Sequence, residues 1–424
     1  MNNFEATRAY AQSMDAADPL GTFRDQFNMP MQRNGLTCIY LCGNSLGLQP
    51  KLAAQVVNEE LEDWANLGVE GHLHARRPWL PYHRFATKNL AALTGSEDHE
   101  VVAMNTLTVN LHMMMTTFYR PEGKRRKIVI ESTAFPSDRF AVMSQLRLHG
   151  HDPEDALVEW VPDEASNVLR IEDLQAILDR EGDEIALLLL PGVQYYSGQV
   201  LPMQELCSMA RATGCKIGLD LAHAIGNIPL DLHEWSPDFA AWCTYKYLNS
   251  GPGAIAGAFV HSRHLDADGT QQLLGWWGHV EDTRFKMGPT FTPAKGADLW
   301  QLSNPPILSL APVIASLSIF AEAGMDRLRE KSILLTGFMD FLLHKDFSGR
   351  IESITPPSAR GCQLSLVVRD DTLDARGIFE TLEAQNVITD WREPNVIRVA
   401  PVPLYNSFED VFDFTERLHK AVDA

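Results

Sequence analysis

The sequence predicts an α/β protein: a large domain on a mostly parallel sheet, with a smaller α+β domain beside it. Three observations carry that prediction. Short apolar runs alternate with helical patterns through the middle of the chain, the signature of βαβ units. Runs such as Ile185–Leu190 are apolar without alternation, as strands covered on both faces must be. The texture then changes at Ser303-Asn304-Pro305-Pro306, beyond which a helical stretch leads into a short tail.

The elements follow in order. Expected strands are KIVIES from Lys127, EIALLLLPGV from Glu184, CKIGLDLAH from Cys215, DFAAWCTYKY from Asp238 and AIAGAFVH from Ala254. Between them, IEDLQAILDREG from Ile171 and LPMQELCSMARATG from Leu201 read as helices that stop at glycine. After the proline pair, residues 307–345 read as one long helical segment, followed by strands RGCQLSLVV from Arg360 and NVIRVAP from Asn395. The expected division is a large domain over 71–310, with 1–70 and 311–424 together forming the smaller one.

Composition narrows the function. With 424 residues, 45% hydrophobic and 21% charged, the chain has the ordinary mix of a soluble globular protein. Its net charge of −19 repels phosphate backbones and anionic lipid, so no nucleic-acid or membrane partner is expected. The start has neither a basic segment nor an apolar core typical of a signal peptide, and no run approaches a membrane span, so a cytoplasmic location is expected. Six cysteines without a CxxC pair argue for reduced, buried thiols and no metal site.

The most informative stretch is Asp220-Leu221-Ala222-His223. Asp220 closes an apolar strand, where open α/β sheets bind their ligands. Downstream, another apolar strand runs into Tyr245-Lys246-Tyr247 and the turn Asn249-Ser250-Gly251-Pro252-Gly253. A carboxylate and a lysine at strand ends of one sheet are what pyridoxal phosphate (PLP) requires. The lysine carries it, and the carboxylate keeps the pyridine nitrogen protonated so that the ring accepts electrons. A charge pair ~4 Å apart at an effective dielectric of ~20 interacts by ~4 kcal/mol, about three pK units. That suffices for Asp220's role.

A phosphate needs amides and hydroxyls at a helix start. Asn105-Thr106-Leu107-Thr108 before an apolar continuation offers them, with threonines able to cap. Phe135-Pro136-Ser137-Asp138 offers an aromatic face and polar groups in one loop after the Lys127 strand. Singly, an Asp at a strand end is more often a cap and a Phe more often core. It is the set that points to a cofactor.

At this point the residues resemble the kynureninase family. The runs GNSLGLQP from Gly43, NTLTVNLH from Asn105, AFPSD from Ala134, DLAHAIGN from Asp220, YKYLNSGPG from Tyr245, GWWGH from Gly275, SNPPIL from Ser303 and RVAPVPLYNSFEDV from Arg398 occur in the family's order and span nearly the whole chain. The last three and FPSD are the family-specific ones. The resemblance implies the PLP-dependent transferase fold type I, a homodimer with sites at the subunit interface, and hydrolysis of kynurenine or 3-hydroxykynurenine to anthranilate or 3-hydroxyanthranilate plus L-alanine.

By the same resemblance Lys246 carries PLP, Asp220 pairs with its nitrogen and Phe135 stacks on its ring. Leu107, Thr108, Pro136, Ser137, Asp138, His223, Tyr245 and Trp276 surround it, and Tyr245 is the candidate proton donor or relay. Arg398 grips the α-carboxylate, Ser45 lines the substrate site, and Asn304 reaches in from the neighbouring subunit. His72 and Asn304 match members that prefer 3-hydroxykynurenine, which favours that substrate slightly. Pro191 stands where relatives often carry Ser or Thr, so it is left out of the site. A class V aminotransferase or a cysteine desulfurase is the alternative on the same fold, and a catalytically silent homologue is the alternative of another class.

Overall fold

The computed structural model describes residues 4–31, 35, 37–164, 166–265 and 271–423. Seven strands form the central sheet: β1 (Val101–Ala103), β2 (Lys127–Glu131), β3 (Leu157–Trp160), β4 (Ile185–Pro191), β5 (Lys216–Asp220), β6 (Phe239–Trp242) and β7 (Gly257–Val260). Across the sheet they run β1-β7-β6-β5-β4-β2-β3. Strands β3, β2, β4, β5 and β6 are parallel to one another, whereas β7 is antiparallel to both β6 and β1.

The unbroken apolar runs have the expected cause. Leu188 and Leu190 of β4 face one core with Leu174 and Leu206 from the helices Ile171–Glu181 and Met203–Thr213. Leu187 and Leu189 face the other core, with Met115 and Val142 from the helices Leu107–Phe118 and Pro136–Leu148. Burying each such leucine contributes roughly 1.5–3 kcal/mol of transfer free energy. Two strands of this sheet were not expected. β1 is too short to show a pattern, and β3 lies at the edge, where its Glu159 is exposed.

Two expectations need correction. The strand read from Asp238 through Tyr247 ends at Trp242, and Lys246 sits beyond it in a turn. That turn is tied down by Thr244 Oγ1 donating to the Ile255 carbonyl at 2.6 Å and by the Ser250 amide donating to the Thr244 carbonyl at 3.0 Å. The long helical segment is two helices, Ile307–Ala323 and Met325–Phe347, inclined at 79°. They break at Gly324, whose φ of +78° lies in the region that favours glycine. Among the described residues no single helix is long and apolar enough to cross a membrane.

The second sheet has four antiparallel strands in the order β8 (Ile351–Ser353), β9 (Leu364–Val368), β11 (Val396–Val399), β10 (Asp390–Arg392). Its core takes in Phe338, Phe408 and Phe414 from the flanking helices, and Ala11 and Ile39 from the N-terminal segment. The same segment sends Leu20, Phe23, Leu48 and Val56 into the core of the large sheet. The N-terminal 60 residues therefore bridge both bodies.

Candidate active site

The carboxyl ends of β2, β4 and β5 open onto a cavity of about 400 Å³. Each strand delivers its last residue there: Glu131, Pro191 and Asp220. The turn after β6 adds Tyr245 and Lys246, and β10 and β11 of the smaller sheet add Arg392 and Arg398.

Lys246 is held by one polar contact, its Nζ lying 2.8 Å from His223 Nε2. His223 is buried, and burial, followed by the Lys246 charge, takes its pKa well below the ordinary value. The imidazole is therefore neutral, and Nε2 accepts from the ammonium while the proton sits on Nδ1. Lys246 Nζ also lies 5.9 Å from the centre of the Phe135 ring and 6.0 Å from that of Tyr245. The backbone behind the lysine is locked by the N-terminal loop: the Gly47 amide donates to the Tyr245 carbonyl at 2.8 Å. A Cβ on Gly47 would clash with the Lys246 carbonyl oxygen and with Asn249 Oδ1, so only glycine fits.

One wall of the cavity is acidic. Asp220 Oδ1 accepts from the Ala222 amide at 2.7 Å. Burial, followed by the charge of Asp220 and a hydrogen bond with it, holds the Asp138 carboxyl well above the carboxylate range. Burial, with Asp220 adding to it, pushes Glu131 up to about 8. Asp138 and Glu131, grouped around Asp220, are thus both biased towards their protonated forms. The opposite wall is cationic. Arg398 is 1% exposed, donating from Nη1 to the Tyr195 carbonyl at 2.7 Å and from Nη2 to Asp390 Oδ2 at 2.6 Å.

The residues present fit PLP. Phe135 leaves 43% of its surface exposed at the cavity, steadied by an edge-on Tyr195 ring 5.1 Å away. The helix Leu107–Phe118 starts at Thr106, and contrary to expectation the Thr106 hydroxyl makes no cap, so the first-turn amides remain available to an anion. Thr108 and Ser137 bring hydroxyls to the same cavity. Asp220 stands ready for a pyridine nitrogen, and Lys246 for the cofactor's carbonyl carbon.

Ser45, Leu107, Thr108, Phe135, Ser137, Asp138, Asp220, His223, Tyr245, Lys246 and Arg398 all line this cavity. Pro136 does not line it. It is the first residue of its helix and fixes the turn that presents Phe135. Pro191, set aside in the sequence, does line it. His72, Trp276 and Asn304 lie elsewhere, together in a second cavity of about 470 Å³ with Trp79 and Phe285. Within one chain the structure does not bring these three to Lys246. Asn44, Glu131, Tyr195 and Arg392 line the main cavity without having been expected there. Glu131 could have been found by the rule that found Asp220, a carboxylate closing an apolar strand.

Strand order, strand-end carboxylate and a lysine lining the cavity at the strand ends define a PLP-dependent enzyme of the class V aminotransferase fold. The family model "Aminotransferase class-V" matches residues 39–335, and "Kynureninase C-terminal domain" matches residues 328–418. Curated relatives include the kynureninases of Koribacter versatilis (49% identical, 98% of this chain and 97% of the relative), Xanthomonas campestris pv. campestris (51%, 97% and 97%) and Myxococcus xanthus (50%, 98% and 97%). The chain belongs to the kynureninase family, hydrolases acting on carbon–carbon bonds in ketonic substances. Solved structures share its fold at low identity. A C-DES mutant with glycine covalently linked to its PLP cofactor superposes with a TM-score of 0.76 at 17% identity, over 94% of this chain and 99% of that one. The cysteine desulfurase of Thermococcus onnurineus NA1 superposes at 0.74 and 17%, over 91% and 95%.

Proposed function

We propose that this chain hydrolyses the Cβ–Cγ bond of L-kynurenine and 3-hydroxy-L-kynurenine, releasing anthranilate or 3-hydroxyanthranilate and L-alanine, with the hydroxylated substrate favoured. The observation that carries this reading is one cavity holding Lys246, Asp220 and Arg398 in a chain about half identical to kynureninases.

Bound PLP supplies an electron-accepting ring and a carbon that takes up the substrate amine. Asp220 keeps the ring nitrogen charged, Phe135 covers one ring face, and the amides of Leu107 and Thr108 with the Ser137 hydroxyl hold the phosphate. Arg398 grips the α-carboxylate with a planar pair of donors. Lys246 Nζ would take the α-proton and return it along the reaction. Neutral His223 offers the lysine a hydrogen-bond acceptor in both protonation states of the cycle. Tyr245, whose hydroxyl burial keeps protonated, would donate a proton to the β-carbon that becomes the methyl group of alanine. Water adds to the γ-carbonyl and the Cβ–Cγ bond breaks.

The second cavity supports a homodimer. Exposed Leu73, Trp276 and Phe285 surround or line it, and in this reading His72, Trp276 and Asn304 meet the aryl ring held by a partner copy. Polar groups aimed at the extra hydroxyl would go unpaired with plain kynurenine, which is the basis for the preference. A desulfurase reading needs a reactive cysteine on a mobile loop. Cys362 is instead 0% exposed, with burial raising its pKa to about 11, and lies outside the cavity.

The test mixes PLP-loaded protein with each substrate and follows the fluorescent anthranilate product and alanine. Both products, formed faster from 3-hydroxykynurenine, are expected. Release from kynurenine alone would discard the ring preference, and no release from either would point to a transaminase.

A further inference from the structure

Arg392 closes β10 and lines the cavity beside Arg398, which β11 places opposite Asp390 in register. A single carboxylate oxygen serves both guanidiniums: Asp390 Oδ2 accepts from Arg398 Nη2 at 2.6 Å and from Arg392 Nη2 at 3.2 Å. Nη1 of Arg398 is spent on the Tyr195 carbonyl. The Nε atoms of both arginines are buried and have no partner. Two cations against one anion leave a positive charge over, in a place where Arg398 is 1% exposed and the Arg392 side chain 34%. Burial lowers the Arg398 pKa, Asp390 opposes that, and Arg392 adds to the fall. Unpaired buried donors, and a buried guanidinium beside a second, half-buried one, are costly to maintain unless a second anion arrives to use them.

We propose that Arg392 is a second contact for the substrate's α-carboxylate, which is held between the two guanidiniums rather than by Arg398 alone. The kynurenine reading enters only through the identity of the substrate, because any α-amino acid would be held in the same way.

The experiment uses the PLP-loaded enzyme and three probes: L-alanine, followed by cofactor absorbance; kynurenine, through KM and kcat; and kynuramine, which lacks the carboxylate. In Arg392→Gln, L-alanine affinity and kynurenine KM are each expected to worsen about tenfold, with kcat within about threefold and kynuramine binding unchanged. Arg392→Lys, a charge without the planar fork, is expected to lose about threefold on the same two carboxylate probes. It decides the question if the Gln variant fails to load cofactor. L-alanine binding at the parental affinity in either loaded variant overturns the proposal, as does an equal weakening of kynuramine. Alanine binding needs no turnover, so an enzyme that binds L-alanine through both arginines yet releases no anthranilate sinks the proposed reaction and leaves this inference standing.

Discussion

Glu131 ends β2, two strands across the sheet from Asp220 at the end of β5, and its environment sets a pH dependence. Its carboxyl is pushed up from 4.5 to about 8 by burial, with Asp220 contributing. Between those values the folded apo-protein keeps a proton that the unfolded chain has released. Its contribution to stability is therefore complete below about 4.5, falls as pH rises and levels off above about 8. Glu131→Gln cannot lose that proton, so its melting temperature is expected to decline less than the parent's across this window. Parallel apo-protein melting profiles for the two would show that Glu131 titrates normally. Loading with PLP, whose pyridinium nitrogen would bring a positive charge to this acidic wall, is expected to shift the window downward.

At the scale of elements, the site depends on the N-terminal loop backing the lysine turn. Gly47→Ala puts a methyl group against the Lys246 carbonyl, so one of the two segments must move. A loss of about 1–3 kcal/mol, typical of overpacking, is expected in thermal unfolding, with kcat falling as Lys246 is displaced. An unchanged kcat would show that the lysine position tolerates the shift. The elements differ in how far sequence disclosed them. β4 and β5 were legible because a short apolar run without alternation, too brief for a helix, suits a strand covered on both faces, and Asp220 because it ends such a run. The helix break at Gly324 was not, since the apolar pattern continues across it and only the positive φ marks the bend. The cavity's basic wall was half legible. Arg398 lies in a recognisable run, whereas Arg392 reaches the cavity only through the pairing of β10 with β11.

For the whole molecule, we read the chain as a large body over 71–310 and a smaller one from 1–70 and 311–424. Ala11 and Ile39 share a core with the C-terminal helices, as that division requires, whereas Leu20, Phe23, Leu48 and Val56 and the helix Ile307–Ala323 pack into the core of the large sheet. If the second cavity completes a partner's site, two crippled chains should rescue each other. Lys246→Ala and the double variant Trp276→Ala/Asn304→Ala are each expected to be nearly inactive alone. Unfolded and refolded together, they should recover up to about a quarter of parental activity, since random pairing gives half the dimers one intact site. Recovery no greater than the sum of the two would assign those residues to their own chain. The opposed walls of the main cavity have one further consequence. If, as proposed, the acidic wall fixes the ring, the guanidiniums fix the carboxylate and Lys246 approaches from a third direction, a tetrahedral α-carbon is met at three separate points. Such a cavity is handed. It can present a hydrogen to Lys246 in one enantiomer only, and the mirror-image amino acid, however well its groups are bound, turns its side chain to the lysine instead.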